Sequence, residues 1–189
     1  MTGSHKIILA SQSPRRKQLL EWAEVTFDVM VSDTDESFPD GISFTETAIH
    51  IARNKALAVS QQLKSHLPVL AADTIVVCDG KILGKPNDRE HAIETLEFLS
   101  GKTHQVITGV VILQNETETA FADTTEVTFY ALTPEQIRFY VDHYKPYDKA
   151  GAYAIQEWIG VVGIKSVNGD FYNVMGLPVS RVVRALGFV

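Results

Sequence analysis

The sequence of 189 residues has one cysteine and no excess of positive charge. Because a disulfide needs two cysteines, Cys78 alone excludes an intramolecular disulfide framework and is typical of a reducing compartment. No apolar stretch approaches the roughly 18 residues that span a bilayer, and the N-terminus lacks the apolar core of a signal peptide. A formal net charge of -6 argues against broad nucleic-acid binding, which uses a basic face. We therefore expect a cytoplasmic protein that binds neither membranes nor nucleic acids.

Composition is that of a globular protein, with 45% hydrophobic and 21% charged residues. A chain of this length fits a single domain, here residues 1–189, that buries a sizeable core. Residues 1–5 have the character of an expression-tag remnant and are left out of the fold prediction.

Helical and strand patterns alternate along the chain without a repeat or a long linker. Asp79-Gly80 and Asn168-Gly169 predict two β-hairpins. Hairpins mixed with helices predict a mixed sheet, so the fold class is α/β or α+β. Other strands are predicted at 6–10, within 25–32, at 104–113 and at 119–130, and helices at 14–22, at 43–64, from Asn87 to Gly101, from Pro134 and from about 178.

The stretch "LASQSPRRKQLL", residues 9–20, places two arginines at a strand-to-helix turn. Ser13 stands at the N-cap position and Pro14 at the first helical position. Free N–H groups at a helix N-terminus bind anions, and Arg15, Arg16 and the Ser11 hydroxyl add further donors. Two interpretations remain open here: a phosphate site, or a solvated basic turn with an ordinary cap.

Lys55 lies on what should be the buried face of the second helix, which opens with the capping box Ser43-x-x-Glu46. Its stem could run along apolar surface to water, or its ammonium could reach an anion in a cleft. Both interpretations remain open from this pattern alone. The residues of that face are Ala48, Ala52, Lys55, Ala56 and Val59.

Asp73 interrupts the apolar run "VLAADTIVV", where an unpaired carboxylate would be costly. The hairpin at 79–80 predicts that Thr74 pairs with Lys85 and Asp73 with Pro86. Asp73 is then either a strand-end carboxylate paired with Lys85 or a ligand of a metal ion bound to phosphates. Further acids of an earlier loop favour the second interpretation: Asp33, Asp35 and Glu36.

These residues belong to motifs that continue in order across nearly the whole chain. They are "SQSPRRKQLL", the acidic loop ending at Glu36, "ARNKA", "AADTIV", "GKP" at 84–86, "SGKTHQVITGV" and "DKAGAYAIQ". Together they resemble the Maf family of nucleoside triphosphate pyrophosphatases, also called septum formation proteins. The resemblance implies a hydrolase that cleaves a nucleoside triphosphate into a monophosphate and pyrophosphate. It also implies a Maf/ITPase-like fold, a bent mixed sheet with flanking helices and two lobes around a deep cleft.

The resemblance also implies roles for individual residues. Asp73 is expected to be catalytic, accepting a proton from the attacking water, and to hold Mg²⁺ or Mn²⁺ together with Glu36. The phosphate-binding residues are expected to be Ser11, Ser13, Arg16, Lys55 and Lys85, and the specificity residues Arg15, Thr74 and Gln156.

"GAYAIQ" resembles the subfamily that prefers dTTP and UTP. The Gln156 amide has one donor and one acceptor group, which complement the edge of a pyrimidine. The usual pattern continues with glycine, whereas Glu157 and Trp158 follow here, so modified pyrimidine nucleotides are also candidate substrates.

Two alternatives stand beside this prediction. One is a nucleotide-binding regulator of septation without turnover, and the other is a house-cleaning pyrophosphatase for non-standard purine nucleotides. A homodimer is expected.

Overall fold

The computed structural model describes residues 6–64 and 66–188. The suggested tag remnant, residues 1–5, lies outside the described residues. The chain divides into two compact units. The first comprises the described residues of Met1–Thr74, Thr108–Asp123 and Gly176–Val189, and the second comprises Ile75–Ile107 and Thr124–Met175. The single domain expected from the length therefore stays a prediction.

The described residues form a seven-stranded mixed sheet, which confirms the predicted α/β class. Its order is β2-β1-β3-β5-β6-β7, with β4 paired to β3. Strand β1 is parallel to β2 and to β3, whereas the pairs β3–β4 and β6–β7 are antiparallel. The strands are β1 Lys6–Leu9, β2 Thr26–Val29, β3 Val69–Cys78, β4 Lys81–Leu83, β5 Thr103–Gln114, β6 Thr117–Phe129 and β7 Ile164–Asn168.

Side-chain caps begin several of the helices. Ser13 and the capping box at Ser43 begin the first two helices as predicted, and a second capping box at Thr133 begins the fourth. The helices are α1 Pro14–Trp22, α2 Phe44–Ser60, α3 Arg89–Leu99, α4 Pro134–Tyr144, α5 Trp158–Gly163, α6 Phe171–Met175 and α7 Val179–Ala185, with a 3₁₀ turn at Ala150–Ala152. Thus α2 ends at Ser60 rather than 64.

The predicted N-cap Asn87 is wrong by one residue. The Asp88 carboxylate accepts the His91 N–H at 2.8 Å and caps α3, because its side chain precedes the first helical turn. Gly101 follows the helix at φ +71, in the left-handed conformation predicted for the stop.

In the first unit, α2 packs its apolar face against the sheet. Ala52, Ala56 and Val59 of α2 share a buried cluster with Val69 and Ala71 of β3. At Gly109 of β5 the approach to α2 is so close that an added Cβ would lie 2.2 Å from the Ala48 carbonyl carbon. Small residues therefore let the sheet and the helix that carries Lys55 come together.

In the second unit, the hairpin at Asp79-Gly80 is confirmed, with Cys78 opposite Lys81 and Val76 opposite Leu83. The ladder ends there, so the predicted pairing of Thr74 with Lys85 and of Asp73 with Pro86 is wrong. Pro86 has no backbone N–H to continue the ladder. Within the same unit Val76 joins a buried cluster with Val106 and Val127.

The second hairpin, predicted at Asn168-Gly169, is wrong. Strand β7 ends at Asn168 and helix α6 follows from Phe171. The Asp170 carboxylate accepts the Tyr172 N–H at 2.8 Å, so the polar residues after the strand begin a helix instead of a return strand. None of the helices in residues 6–64 and 66–188 has the length and apolar character to cross a bilayer.

Candidate active site

Arg16 lies at the N-terminus of α1 and is buried, in spite of its charge. Its Nε donates to the Gly176 carbonyl at 2.8 Å, Nη1 to Ser11 Oγ at 3.0 Å and Nη2 to Thr74 Oγ1 at 3.0 Å. All three partners are neutral oxygens, so they orient the guanidinium without cancelling its charge. Burial lowers the pKa of Arg16, while the negative charge of Asp73 acts in the opposite direction.

Ser13 forms part of the same turn. Its Oγ accepts the Arg16 N–H at 3.5 Å, and its own N–H donates to Ser11 Oγ at 3.2 Å. The two serines therefore hold the first turn of α1, which carries Arg15 and Arg16 at the helix N-terminus. Such a turn suits an anionic group.

Lys55 binds two carboxylates. Its Nζ is 2.6 Å from Asp73 Oδ1 and 2.7 Å from Glu36 Oε1. The Lys55 and Asp73 side chains are 18% and 13% exposed, whereas Glu36 is 55% exposed. Of the two interpretations of Lys55, the structure favours the ionic one, because the ammonium binds acidic groups instead of extending into water.

Thr74 follows Asp73 on β3 and is held from several sides. Its Oγ1 accepts a hydrogen bond from Arg16 Nη2. The same oxygen lies 2.9 Å from Thr108 Oγ1 and 3.4 Å from the Gly176 carbonyl oxygen. Thr108 is fully buried, and Gly176 has φ +118, which favours glycine. The hydroxyl of Thr74 thus ties β3 to α1 and β5.

Sequence reasoning missed Thr108 and Gly176. The motif "SGKTHQVITGV" contains Thr108, but nothing local predicted that this hydroxyl would meet Thr74. Gly176 is 160 positions from Arg16, so only the fold brings its carbonyl to the guanidinium.

The structure thus brings together most of the residues predicted for the site that belong to the first unit. Arg15 is half-buried on α1, next to this cluster in sequence. The members that hydrogen bonds and ion pairs connect are Ser11, Ser13, Arg16, Glu36, Lys55, Asp73 and Thr74.

The remaining predicted residues, Lys85 and Gln156, belong to the second unit. Lys85 is exposed in the segment that follows β4. Gln156 is exposed as well, but its neighbour Ile155 is buried and Glu157 is half-buried. The glutamine side chain therefore projects from a well-anchored backbone.

Glu157, Tyr140 and Lys149 form what we call the Glu157 cluster. Tyr140 donates its hydroxyl to Glu157 Oε2, and Lys149 Nζ is 3.5 Å from Glu157 Oε1. Lys149 also binds Asp148 Oδ1 at 2.7 Å. Burial and the acceptor Glu157 raise the pKa of Tyr140, so its hydroxyl keeps its proton and remains a donor.

Glu36 and Asp73 have the donor chemistry for Mg²⁺ or Mn²⁺. Because one ammonium contacts both carboxylates, a single small cation can contact both as well. Residues 6–64 and 66–188 contain no group of three or more His, Cys, Asp or Glu side chains placed to hold a metal ion. Two carboxylates suffice for Mg²⁺, which commonly takes its other ligands from substrate phosphates and water. The residues present therefore fit such an ion.

Comparison with known proteins gives consistent results over nearly the whole chain. Residues 6–188 match the family model described as Maf-like protein. The chain is 49% identical over 183 residues to the dTTP/UTP pyrophosphatase of Bacteroides fragilis strain YCH46, covering 96% of this chain and 95% of that protein.

Two further relatives carry the same name. The dTTP/UTP pyrophosphatase of Cytophaga hutchinsonii is 48% identical over 180 residues, with 95% of this chain and 82% of that protein covered. That of Porphyromonas gingivalis strain W83 is 47% identical over 185 residues, with 96% and 93% covered.

A solved structure of the Staphylococcus aureus Ham1 protein is more distant, with a TM-score of 0.44 and 17% identity over 66% of this chain and 71% of that one.

Proposed function

The chain belongs to the family of Maf-like proteins, and from this premise we propose that it is a dTTP/UTP pyrophosphatase. It hydrolyses the bond between the α- and β-phosphates and releases a nucleoside monophosphate and pyrophosphate. The observation that carries the chemistry is the ion-paired group of Glu36, Lys55 and Asp73 beside the buried cation Arg16. The base preference rests on relatives of that name, which are 47–49% identical over 82–95% of their length.

In this proposal the phosphates bind to cations and to the start of α1. Arg16, Lys55 and Lys85 offset the negative charge of the triphosphate, and Ser11 and Ser13 contribute polar groups at the helix end. Arg16 is suited to this because its three neutral partners fix the guanidinium before substrate arrives. Binding phosphate then requires little reorganisation of the protein.

Asp73 accepts a proton from the attacking water. A carboxylate is a weak base, so proton transfer to it depends on its position beside the attacking water. We assign Glu36 and Asp73 to hold Mg²⁺ or Mn²⁺, which when bound supplies charge to stabilise the leaving pyrophosphate and acidifies water. The Lys55 ammonium, which pairs with both carboxylates, would then be available to the phosphate oxygens.

Gln156 reads the base, and Arg15 and Thr74 adjust the choice of substrate. The Thr74 hydroxyl does so indirectly, since it contacts Arg16 and Thr108. The proposal further includes a cytoplasmic location, action as a homodimer, and no binding of nucleic acid or membranes.

The test is pyrophosphate release from a panel of nucleoside triphosphates with Mg²⁺ or Mn²⁺, comparing wild type with Asp73→Asn. Asp79→Asn is the matched control, because Asp79 is an exposed aspartate paired with Lys102. We expect release from dTTP and UTP that is lost in Asp73→Asn and kept in the control. Activity confined to purine nucleotides would refute the base assignment, and tight nucleotide binding without turnover would indicate a regulator.

A further inference from the structure

We propose that Glu157 is a positioning residue for Gln156 and that it thereby sets the preference for uracil and thymine over cytosine. The proposal rests on the proposed function, since it assumes that Gln156 meets the base. It assigns a role to the residue that replaces the glycine usual after this glutamine. Glycine could make neither side-chain contact of the Glu157 cluster.

The first step is that the Glu157 side chain is held at both oxygens. Oε2 accepts the Tyr140 hydroxyl, and Oε1 lies 3.5 Å from Lys149 Nζ. Tyr140 is fully buried, and the Lys149 side chain is only 10% exposed. A carboxylate bound to two buried partners has little freedom to move, and neither does the backbone to which it is attached.

The second step is that the backbone on the other side of Gln156 is fixed as well. The Ala154 N–H donates to the Tyr140 hydroxyl at 3.2 Å, so Tyr140 bonds to both sides of the glutamine. The Glu157 N–H donates to the Ala154 carbonyl at 3.1 Å and closes this turn. At Gly160 an added Cβ would lie 1.7 Å from the Ile155 carbonyl oxygen, so the start of α5 packs directly on the segment.

The third step concerns what an amide can distinguish. Uracil and thymine present an acceptor oxygen and an N–H donor side by side, whereas cytosine presents a ring-nitrogen acceptor and an amino donor. A glutamine amide turned by half a revolution exchanges its donor and acceptor, so a freely moving Gln156 would satisfy either edge. Discrimination therefore requires that Gln156 stands at a fixed distance and angle from the base, so that one orientation of its amide is favoured over the other.

The experiment measures kcat and KM for UTP and CTP in wild type, Glu157→Ala, Glu157→Gln and Tyr140→Phe. In Glu157→Ala we expect the UTP-to-CTP ratio of kcat/KM to fall about tenfold, the equivalent of one well-oriented hydrogen bond. The fall should come mainly from a lower KM for CTP, because a released Gln156 amide can also satisfy the cytosine edge. The kcat for UTP should be nearly unchanged, because the phosphate chemistry is untouched. Glu157→Gln can still accept the Tyr140 hydroxyl, so it should recover part of the ratio.

Asp142→Ala is the matched control. Asp142 lies on α4, the helix that carries Tyr140, and its carboxylate forms an ion pair with Arg89. Its loss therefore tests whether general destabilisation of α4 changes the ratio. We expect its UTP-to-CTP ratio to equal that of wild type. If Glu157→Ala does not fold, Tyr140→Phe decides, since it removes one hydroxyl and keeps the ring that stacks on Tyr144.

The outcomes separate this proposal from the function on which it rests. Wild-type protein that hydrolyses neither UTP nor dTTP would overturn the proposed function and this inference together. Wild-type protein that prefers UTP, with Glu157→Ala and Tyr140→Phe variants that prefer it equally, would overturn the positioning role alone. A ratio that falls to the same extent in Asp142→Ala would also overturn it.

Discussion

Replacing Lys55 with methionine is expected to tighten the binding of Mn²⁺ to the nucleotide-free protein. The Lys55 ammonium contacts Asp73 at 2.6 Å and Glu36 at 2.7 Å, so it occupies the carboxylate oxygens that a divalent ion would use. The two cations compete for the same ligands. Methionine keeps the length and apolar stem of the side chain and removes only the competitor.

The expected increase in Mn²⁺ affinity follows from the exposure of the two carboxylates that pair with Lys55. Glu36 is 55% exposed, so solvent screens its ion pair and we assign little free energy to it. Asp73 is 13% exposed, and a hydrogen bond to a charged group of this kind contributes about 1.5–3 kcal/mol. Since about 1.4 kcal/mol corresponds to a factor of ten, Lys55→Met should bind Mn²⁺ about 10 to 100 times more tightly.

The assay is a Mn²⁺ titration of nucleotide-free protein, followed by the electron paramagnetic resonance signal of free Mn²⁺. Arg53→Met is the matched control, because Arg53 lies on the same helix and pairs with Glu118. It removes one positive charge without touching the metal ligands. Equal affinity in Lys55→Met and wild type, or equal tightening in Arg53→Met, would refute the competition. Turnover of Lys55→Met should nevertheless fall, since the phosphates lose a cation.

Three further predictions concern stability and packing. Burial lowers the pKa of His104 to about 4. Between about pH 6.5 and 4 the unfolded chain therefore binds more protons than the folded protein. As the pH falls through this range, the free energy of unfolding should decrease by about 3 kcal/mol. Urea denaturation at pH 7 and pH 4.5 should show a smaller fall in His104→Gln, and an equal fall would contradict the assignment. Thr74→Val removes the acceptor of an Arg16 donor and should destabilise the protein by about 1–3 kcal/mol in the same assay at pH 7, whereas an unchanged midpoint would show that the bond is unimportant. Gly109→Ala should lower the thermal midpoint and reduce turnover, because its Cβ would press on Ala48 of the helix that carries Lys55; full activity would exclude this coupling.

Features that depend on neighbouring residues were predictable from the sequence. Ser13 followed by Pro14 predicted the start of α1, and the capping box at Ser43 predicted that of α2. The turn at Asp79-Gly80 predicted the β3–β4 register. In each case the stabilising hydrogen bonds form within a few positions of the signal, so the sequence contains both partners side by side.

Two of the errors arose where two local signals compete. Asn168-Gly169 is typical of a hairpin, but the Asp170 side chain caps a helix immediately afterwards, and the second signal prevails. Asn87 and Asp88 are both good N-caps, and only the geometry of the first turn decides between them.

Membership of the candidate site was easier to predict than its contacts. Lys55 and Asp73 stood out because each is a charged residue within an apolar pattern. Their pairing with each other and with Glu36 depends on how α2, β3 and the acidic loop meet, which no local pattern contains. For the same reason Thr108 remained unrecognised, since a buried threonine on a strand is ordinary until its partner is known.

The hydrogen bond from Arg16 to the Gly176 carbonyl has a consequence for the order in which the protein is made. The two residues are 160 positions apart, so Arg16 is translated long before its partner exists. A nascent chain that already contains Ser11 and Thr74 has two of the three oxygens that bind the guanidinium. The third partner is added only when translation has passed Gly176, so the arginine reaches its final set of hydrogen bonds among the last steps of synthesis.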